Sequence, residues 1–304
     1  MSPPSAPSLS LTKVLPQRAG TGRWGWAAVG RRMQPVAALC FLLAALLLAT
    51  LAPLIVPHDP AGQSLALRLA PPAFLAGGRA DYLLGSDHLG RDVLSRVIAG
   101  SRATLLVGFA GVALGTLVGS AVGLVAGYAA RYVDEVLMTV ADIQLAFPTT
   151  LLAIAVIAVL GPSLVNLILV VGLSGWVTYA RVTRGVVLKL RSEEFVAAVR
   201  SLGGTHTRVL CRHILPNSVS VLIVLATLDL ARIIVLESTL SFLGLGIQPP
   251  TPSWGGMIGE GREFLDSAWW IAVFPGAALF LTAMSVSRLG DWLRDALDPT
   301  LRTG

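Results

Sequence analysis

Six apolar runs, separated by polar stretches of sharply different charge, organise this chain of 304 residues. They lie at about 35–56, 104–128, 136–160, 164–180, 218–243 and 269–288. A helix needs roughly 20 such residues to cross about 30 Å of hydrocarbon. The fourth run is the shortest and carries Asn166, Ser174 and Thr178. Hydrocarbon offers no partners to open backbone groups, so the runs are expected to be helices. The predicted class is an all-α polytopic membrane protein with six transmembrane helices and a cytoplasmic loop between the fourth and the fifth.

The polar stretches set the orientation. The first 34 residues hold Lys13, Arg18, Arg23, Arg31 and Arg32 with no acid. The 181–217 loop carries seven bases against Glu193 and Glu194, whereas 246–268 has Arg262 against Glu260, Glu263 and Asp266. The positive-inside rule then places both termini and the 181–217 loop in the cytoplasm. Composition agrees with a membrane protein, with 54% hydrophobic residues, 13% charged and a mean hydropathy of +0.74. The net charge of +6 is read as the same positive-inside bias, so nucleic acid is not an expected partner. Cys40 and Cys211 fall in the first run and the cytoplasmic loop, so no disulfide is expected. The first run exceeds the 7–15 residues of a signal-peptide core, which makes it an uncleaved anchor behind a flexible tail, residues 1–22.

Three further patterns stand out. Asp92 is placed to cap a short helix whose apolar positions, Val93, Leu94, Val97 and Ile98, share one face and suit the membrane surface. Gly111, Gly115, Gly119, Gly123 and Gly127 recur every fourth residue and form a slowly winding groove for a neighbouring backbone. Ionisable groups inside the runs are pathway candidates because unpaired charge in lipid is costly. These are Asp142, Asp229 and Glu237; Asp229 also stands i, i+3 to Arg232, where the two can pair on one helix face.

The 181–217 loop reads as two short helices joined at Gly203-Gly204. In SEEFVAAVRSL, Glu193 and Glu194 occupy the first turn, where the helix dipole favours acids. Thr205 is placed to cap THTRVLCRHIL, and Pro216 is expected to end that helix before the fifth run begins. The stretch EFVAAVRSLGG…RHILPN resembles the EAA loop of ABC importer permeases, with Gly203 and Leu215-Pro216 at matching spacing. LGSDHLGRDVLSRVIAGSR and LESTLSFLGLGIQPPTPSWGGMI are similar to the oligopeptide/dipeptide/nickel branch, specifically its C-type subunit. In that branch the acid of the triplet would fall at Ala197; either Glu194, one turn earlier, serves part of its role or a partner subunit supplies it.

The resemblance implies a permease subunit that forms half of a pathway for peptides or related small solutes and couples it to a separate ATPase. The implied coupling residues are Glu194, Ala197, Ala198, Arg200, Gly203, Gly204, Leu215 and Pro216, on a helix around Ala197–Leu210. It implies a related second permease in a heterodimer, two ATP-binding subunits and an extracytoplasmic binding protein, in the lipid of a bacterial inner membrane. Pro249, Pro250 and Trp254 are the candidate contacts for that binding protein, while Trp269 and Trp270 read as an interfacial aromatic belt. The implied organisation is a cytoplasmic tail at 1–34, the first span and outer segment at 35–102, the permease domain at 103–290 with its coupling loop at 181–217, and a cytoplasmic tail at 291–304. No cofactor is expected on this chain, since ATP would be bound by the partner. Its only lysines, Lys13 and Lys189, follow Thr12 and Leu188, so it has no P-loop. His58, His88, His206 and His213 form no metal-ligand pattern, and no catalytic residues are assigned. The main rival is a secondary transporter driven by an ion gradient, with Asp142, Asp229 and Glu237 as ion sites.

Overall fold

Residues 24–129 and 131–297 are described by a computed structural model. Among them the regular structure is helical, and the only β feature is an isolated bridge between Ser86 and Asp92. The long helices are α1 (Trp24–Ile55), α2 (Val93–Tyr128), α5 (Leu164–Leu190), α8 (Leu215–Phe242) and α11 (Trp270–Leu297). Between α2 and α5 lie α3 (Arg131–Leu145) and α4 (Thr149–Leu160); α6 (Glu194–Ser201) and α7 (His206–Val209) precede α8, and α9 (Trp254–Gly261) and α10 (Leu265–Ala268) precede α11. Five helices are long and apolar enough to cross a membrane, and the α3–α4 pair makes a sixth span if taken as one.

That third span is bent by 89°, where the sequence predicted an unbroken run from 136 to 160. The cause is Pro148. It lacks a backbone N–H and disfavours helical geometry at Phe147, so α3 ends at Leu145 and α4 starts afresh.

The glycine stripe packs against α5 of the same chain. All five glycines are buried. A Cβ at Gly119 would lie 2.3 Å from the Trp176 carbonyl oxygen, and one at Gly123 would lie 2.4 Å from that of Ala180. Gly172 returns the relation, since a Cβ there would sit 2.9 Å from the Gly111 oxygen. Backbone therefore meets backbone along most of two spans, where packing and weak contacts replace the hydrophobic drive that lipid removes. α8 lies beside this pair, with Ile234 against Gly108 and Ile233 against Gly111.

Several boundaries differ from expectation. Asp92 does cap a helix, accepting from the Ser95 N–H at 3.0 Å, but that helix is the first part of a 36-residue α2. Val93 is buried against Met257 and Ile271, so this turn belongs to a packed core and not to a membrane surface. A boundary at 103 cuts through α2, and helix extends into both predicted tails, from Trp24 and as far as Leu297. Residues 1–22 lie outside the described part.

Candidate functional site

One end of the bundle carries the predicted 181–217 loop. Its first part, as far as Leu190, is the continuation of α5, and its last residues from Leu215 already belong to α8. Val196, Val209 and Ile214 are buried with Val187 of α5, and Leu124 and Tyr128 of α2 pack against them. Around this anchor the outer face of α6 is open, with Glu194, Ala197, Ala198 and Arg200 exposed. Gly203 has φ +80°, and its N–H donates to the Arg200 carbonyl at 2.9 Å. The Gly204 N–H reaches the Val199 carbonyl, also at 2.9 Å, which completes a glycine C-cap. A Cβ at Gly204 would lie 2.7 Å from that carbonyl oxygen, so each glycine has its own reason: conformation at 203, space at 204.

Thr205 accepts from the Arg208 N–H and caps α7 as expected. Pro216 does not separate the second helix from the fifth span, however. The chain runs through a π-helical turn, Leu210–Ile214, straight into α8. The wider turn accommodates the proline ring and its missing N–H. Asn217 Nδ2 donates to the His213 carbonyl at 2.5 Å, and Ser218 Oγ to that of Ile214 at 3.0 Å. Leu215 is half-buried and Pro216 exposed at this junction. The exposed surface thus runs from α6 through the glycine turn to Arg208, within the predicted 197–210 stretch, and closes where Val209 and Leu210 turn inward.

Tyr128, at the end of α2, ties the platform to the bundle. Its hydroxyl accepts from Arg200 Nη2 at 2.9 Å and lies 2.8 Å from His206 Nδ1. Arg191 Nη1 donates to the Gly127 carbonyl at 2.9 Å. The fifth glycine of the stripe and the platform therefore share a joint.

Of the three pathway candidates, Asp142 and Asp229 are ion-paired and Glu237 is held by serines. Asp142 is held by Arg181, and Asp134 by Arg184 through Nε and Nη2 at 2.5 and 2.6 Å. Asp229 Oδ1 accepts from Arg232 Nε at 2.6 Å, and its Oδ2 accepts from the Tyr179 hydroxyl at 3.0 Å. Glu237 is fully buried, accepting from Ser241 at 2.7 Å and Ser238 at 3.2 Å. In this conformation it lines no open path.

At the opposite end, a buried ion cluster joins the outer segment to α9. Arg91 Nε lies 2.6 Å from Asp87 Oδ2, and Arg91 Nη2 lies 2.7 Å from Glu260 Oε2. Arg96 bonds the same two carboxylates, reaching Glu260 at 2.8 Å. Burial raises the Asp87 pKa, but the Arg96 charge, the Arg91 N–H and charge and the Leu89 N–H together outweigh it and hold the group below its ordinary value. Asp87, His88 and Glu260 also bring potential ligand atoms within 4.8 Å of one another, a grouping that residue spacing did not reveal. Both carboxylates are already engaged by guanidinium groups, whose charge opposes a cation there.

Residues 91–303 match the family described as binding-protein-dependent transport system inner membrane component. The chain belongs to this family. A di/tripeptide transport system permease protein of Pseudomonas aeruginosa is 39% identical over 277 residues, 91% of each chain. A glutathione transport system permease protein of Pectobacterium atrosepticum is 38% identical over 278 residues, again 91% of each. The crystal structure of an amino acid ABC transporter with histidines is alike in fold, with a TM-score of 0.50 over 67% of this chain and 95% of that one at 15% identity. The chain is accordingly a permease subunit of an ABC importer, a multi-pass inner-membrane protein and not an enzyme. Such a permease works with an ATPase, a further permease and a binding protein.

Within this permease, the structure changes the reading of the outer loop. Pro249 and Pro250 are exposed, but Trp254 is buried at 3% exposure. Its indole N–H donates to the Val97 carbonyl at 2.9 Å, and it opens α9 behind the Ser253 cap. Trp254 is a core residue that locks α9 to α2, not an open contact. Trp270 is likewise buried, with its indole N–H on the Ser86 carbonyl at 3.0 Å, so only Trp269 keeps the exposure of an aromatic belt. Sequence reasoning missed the Asp87–Arg91–Arg96–Glu260 cluster because Glu260 lies 169 positions from Arg91, which it binds.

Proposed function

We propose that this permease carries small peptides and is the C-type half of a heterodimer with a related second permease. Two ATP-binding subunits would dock on the α6 platform and its counterpart, and a binding protein would deliver the solute at the outer face, near Pro249 and Pro250. The peptide assignment rests on the relatives, which are named for di/tripeptide and glutathione transport and match over nearly their whole length. The coupling assignment rests on one observation: α6 is anchored through Val196 while Glu194, Ala197, Ala198 and Arg200 stand open beside a glycine turn. Closure of the ATPase pair would pull α6, and Tyr128 would pass that movement to the end of α2. Glu194 then supplies the acid that Ala197 lacks. Both termini, with 1–34 and the end of the chain from 291, face the cytoplasm in this arrangement, and 103–290 holds the pathway.

The test is Ala198→Trp in the complete transporter. The variant is expected to insert and assemble, yet to lose binding-protein-stimulated ATP hydrolysis and uptake together. Undiminished uptake would falsify the docking role of α6.

A further inference from the structure

Arg232 is the one basic residue of α8, and its side chain is 43% exposed. Phe242 ends the helix ten residues further on, which places the guanidinium about 15 Å below that end, midway through roughly 30 Å of hydrocarbon. A charge at that depth does not face lipid without large cost, so its open edge faces protein or water.

The group is held in one orientation. Nε donates to Asp229, Asp229 is 11% exposed and also held by the buried Tyr179, and Gly175 leaves room alongside. A Cβ at Gly175 would lie 2.7 Å from Arg232 Nη2. Among the described residues, neither Nη1 nor Nη2 has an acceptor. A pre-oriented guanidinium edge with free donors matches the geometry of a carboxylate.

One turn towards the coupling platform, Leu228 begins a groove of about 640 Å³ between α5, α8 and α11. Its walls are mainly apolar, and its charged lining groups are Lys189 and Arg294, with no acid. Neither has an acidic partner among the described residues. A cation at mid-membrane followed by two at the far end of an apolar groove suits a small solute that carries a carboxylate.

We infer that Arg232 binds the carboxylate of the solute in transit and that the groove towards Lys189 and Arg294 is its exit path along this subunit. This rests on the permease reading above and identifies the chemistry that the pathway recognises. Asp229 offsets part of the guanidinium charge, so the hold is loose enough for the solute to move on.

The experiment uses the complete transporter in liposomes with its binding protein and radiolabelled Ala-Ala as the probe. Two variants are compared: Arg232→Lys, which keeps the charge and loses the fork, and Asp229→Asn/Arg232→Gln, which removes the pair without stranding a buried charge. Both are expected to retain binding-protein-stimulated ATP hydrolysis. Uptake per ATP is expected to fall roughly tenfold to a hundredfold in the double variant, the scale of one charge-assisted hydrogen bond, and less in Arg232→Lys. Arg294→Gln is expected to slow uptake at unchanged hydrolysis. Wild-type uptake in the double variant would overturn the inference. So would loss of the second permease from the purified double variant, which would make Arg232 an interface residue. A wild-type complex that hydrolyses ATP but moves no Ala-Ala would instead overturn the peptide assignment, and one without stimulated hydrolysis would overturn the coupling reading.

Discussion

At Asp87, burial opposes ionisation and the surrounding donors overcome it. Two guanidinium groups and two backbone N–H groups, from Leu89 and Arg91, converge on one carboxylate that is itself fully buried. The folded pKa therefore lies below the ordinary 3.8. A lowered carboxylate pKa contributes stability that is complete above the unfolded value and is lost as pH falls through the folded one. Asp87→Asn strands part of the charge of Arg91 and Arg96, so it is expected to destabilise the purified protein by about 3 kcal/mol at pH 7. The gap to wild type should narrow below the ordinary carboxylate range, as wild type itself becomes protonated. Thermal unfolding of both proteins across pH measures this; equal midpoints at pH 7 would show that Glu260 alone sustains the cluster. The same residue shows the limit of sequence reading. Its neighbours Arg91 and Arg96 were visible as charges in a motif, but Glu260 reaches them only through the fold.

Among the elements, the α2–α5 pair was half legible. Five glycines at fixed spacing announced a close helix contact, because no other residue lets backbones approach so nearly. The stripe did not name its partner, and α5 with Gly172 and Ala180 supplies it. Gly119→Leu must displace the Trp176 carbonyl or separate the helices, a strain of at least the 1–3 kcal/mol typical of overpacking. The expected result is a sharp loss of monodisperse protein on size-exclusion chromatography, before any assembly with a partner. Normal yield and profile would mean that the crossing yields elsewhere. Prolines proved the least predictable elements. Pro148 broke a run read as continuous, whereas Pro216 failed to break one read as interrupted. The difference is context: a π turn and the Asn217 side chain compensate at Pro216, while α3 ends three residues before Pro148 without such a device.

For the whole molecule, the expected orientation rests on charge placement and not on packing. The positive-inside tally predicts a cytoplasmic place for the stretch from α6 to the π turn, Leu210–Ile214. Cys211 sits exposed on that element as a free thiol, while Cys40 lies within the apolar α1. A membrane-impermeant maleimide is expected to leave Cys211 unlabelled in intact cells and to label it in inside-out vesicles. Labelling from the outside of intact cells would invert the topology.

The sequence by itself determined the class, the number of spans, the paired short helices with their glycine turn and the family, because each rests on local composition or on residues within a short window. Hydrocarbon thickness, charge bias and the turn chemistry of Gly203-Gly204 all act over tens of residues or fewer. Only the tertiary structure decided the partners: α5 for the glycine stripe, Glu260 for the outer arginines, Tyr128 for the platform, and a buried place for Trp254 and Glu237. These depend on which helix faces meet. Within a membrane that is set by shape and by the pairing of scattered polar groups, neither of which leaves a period in the sequence.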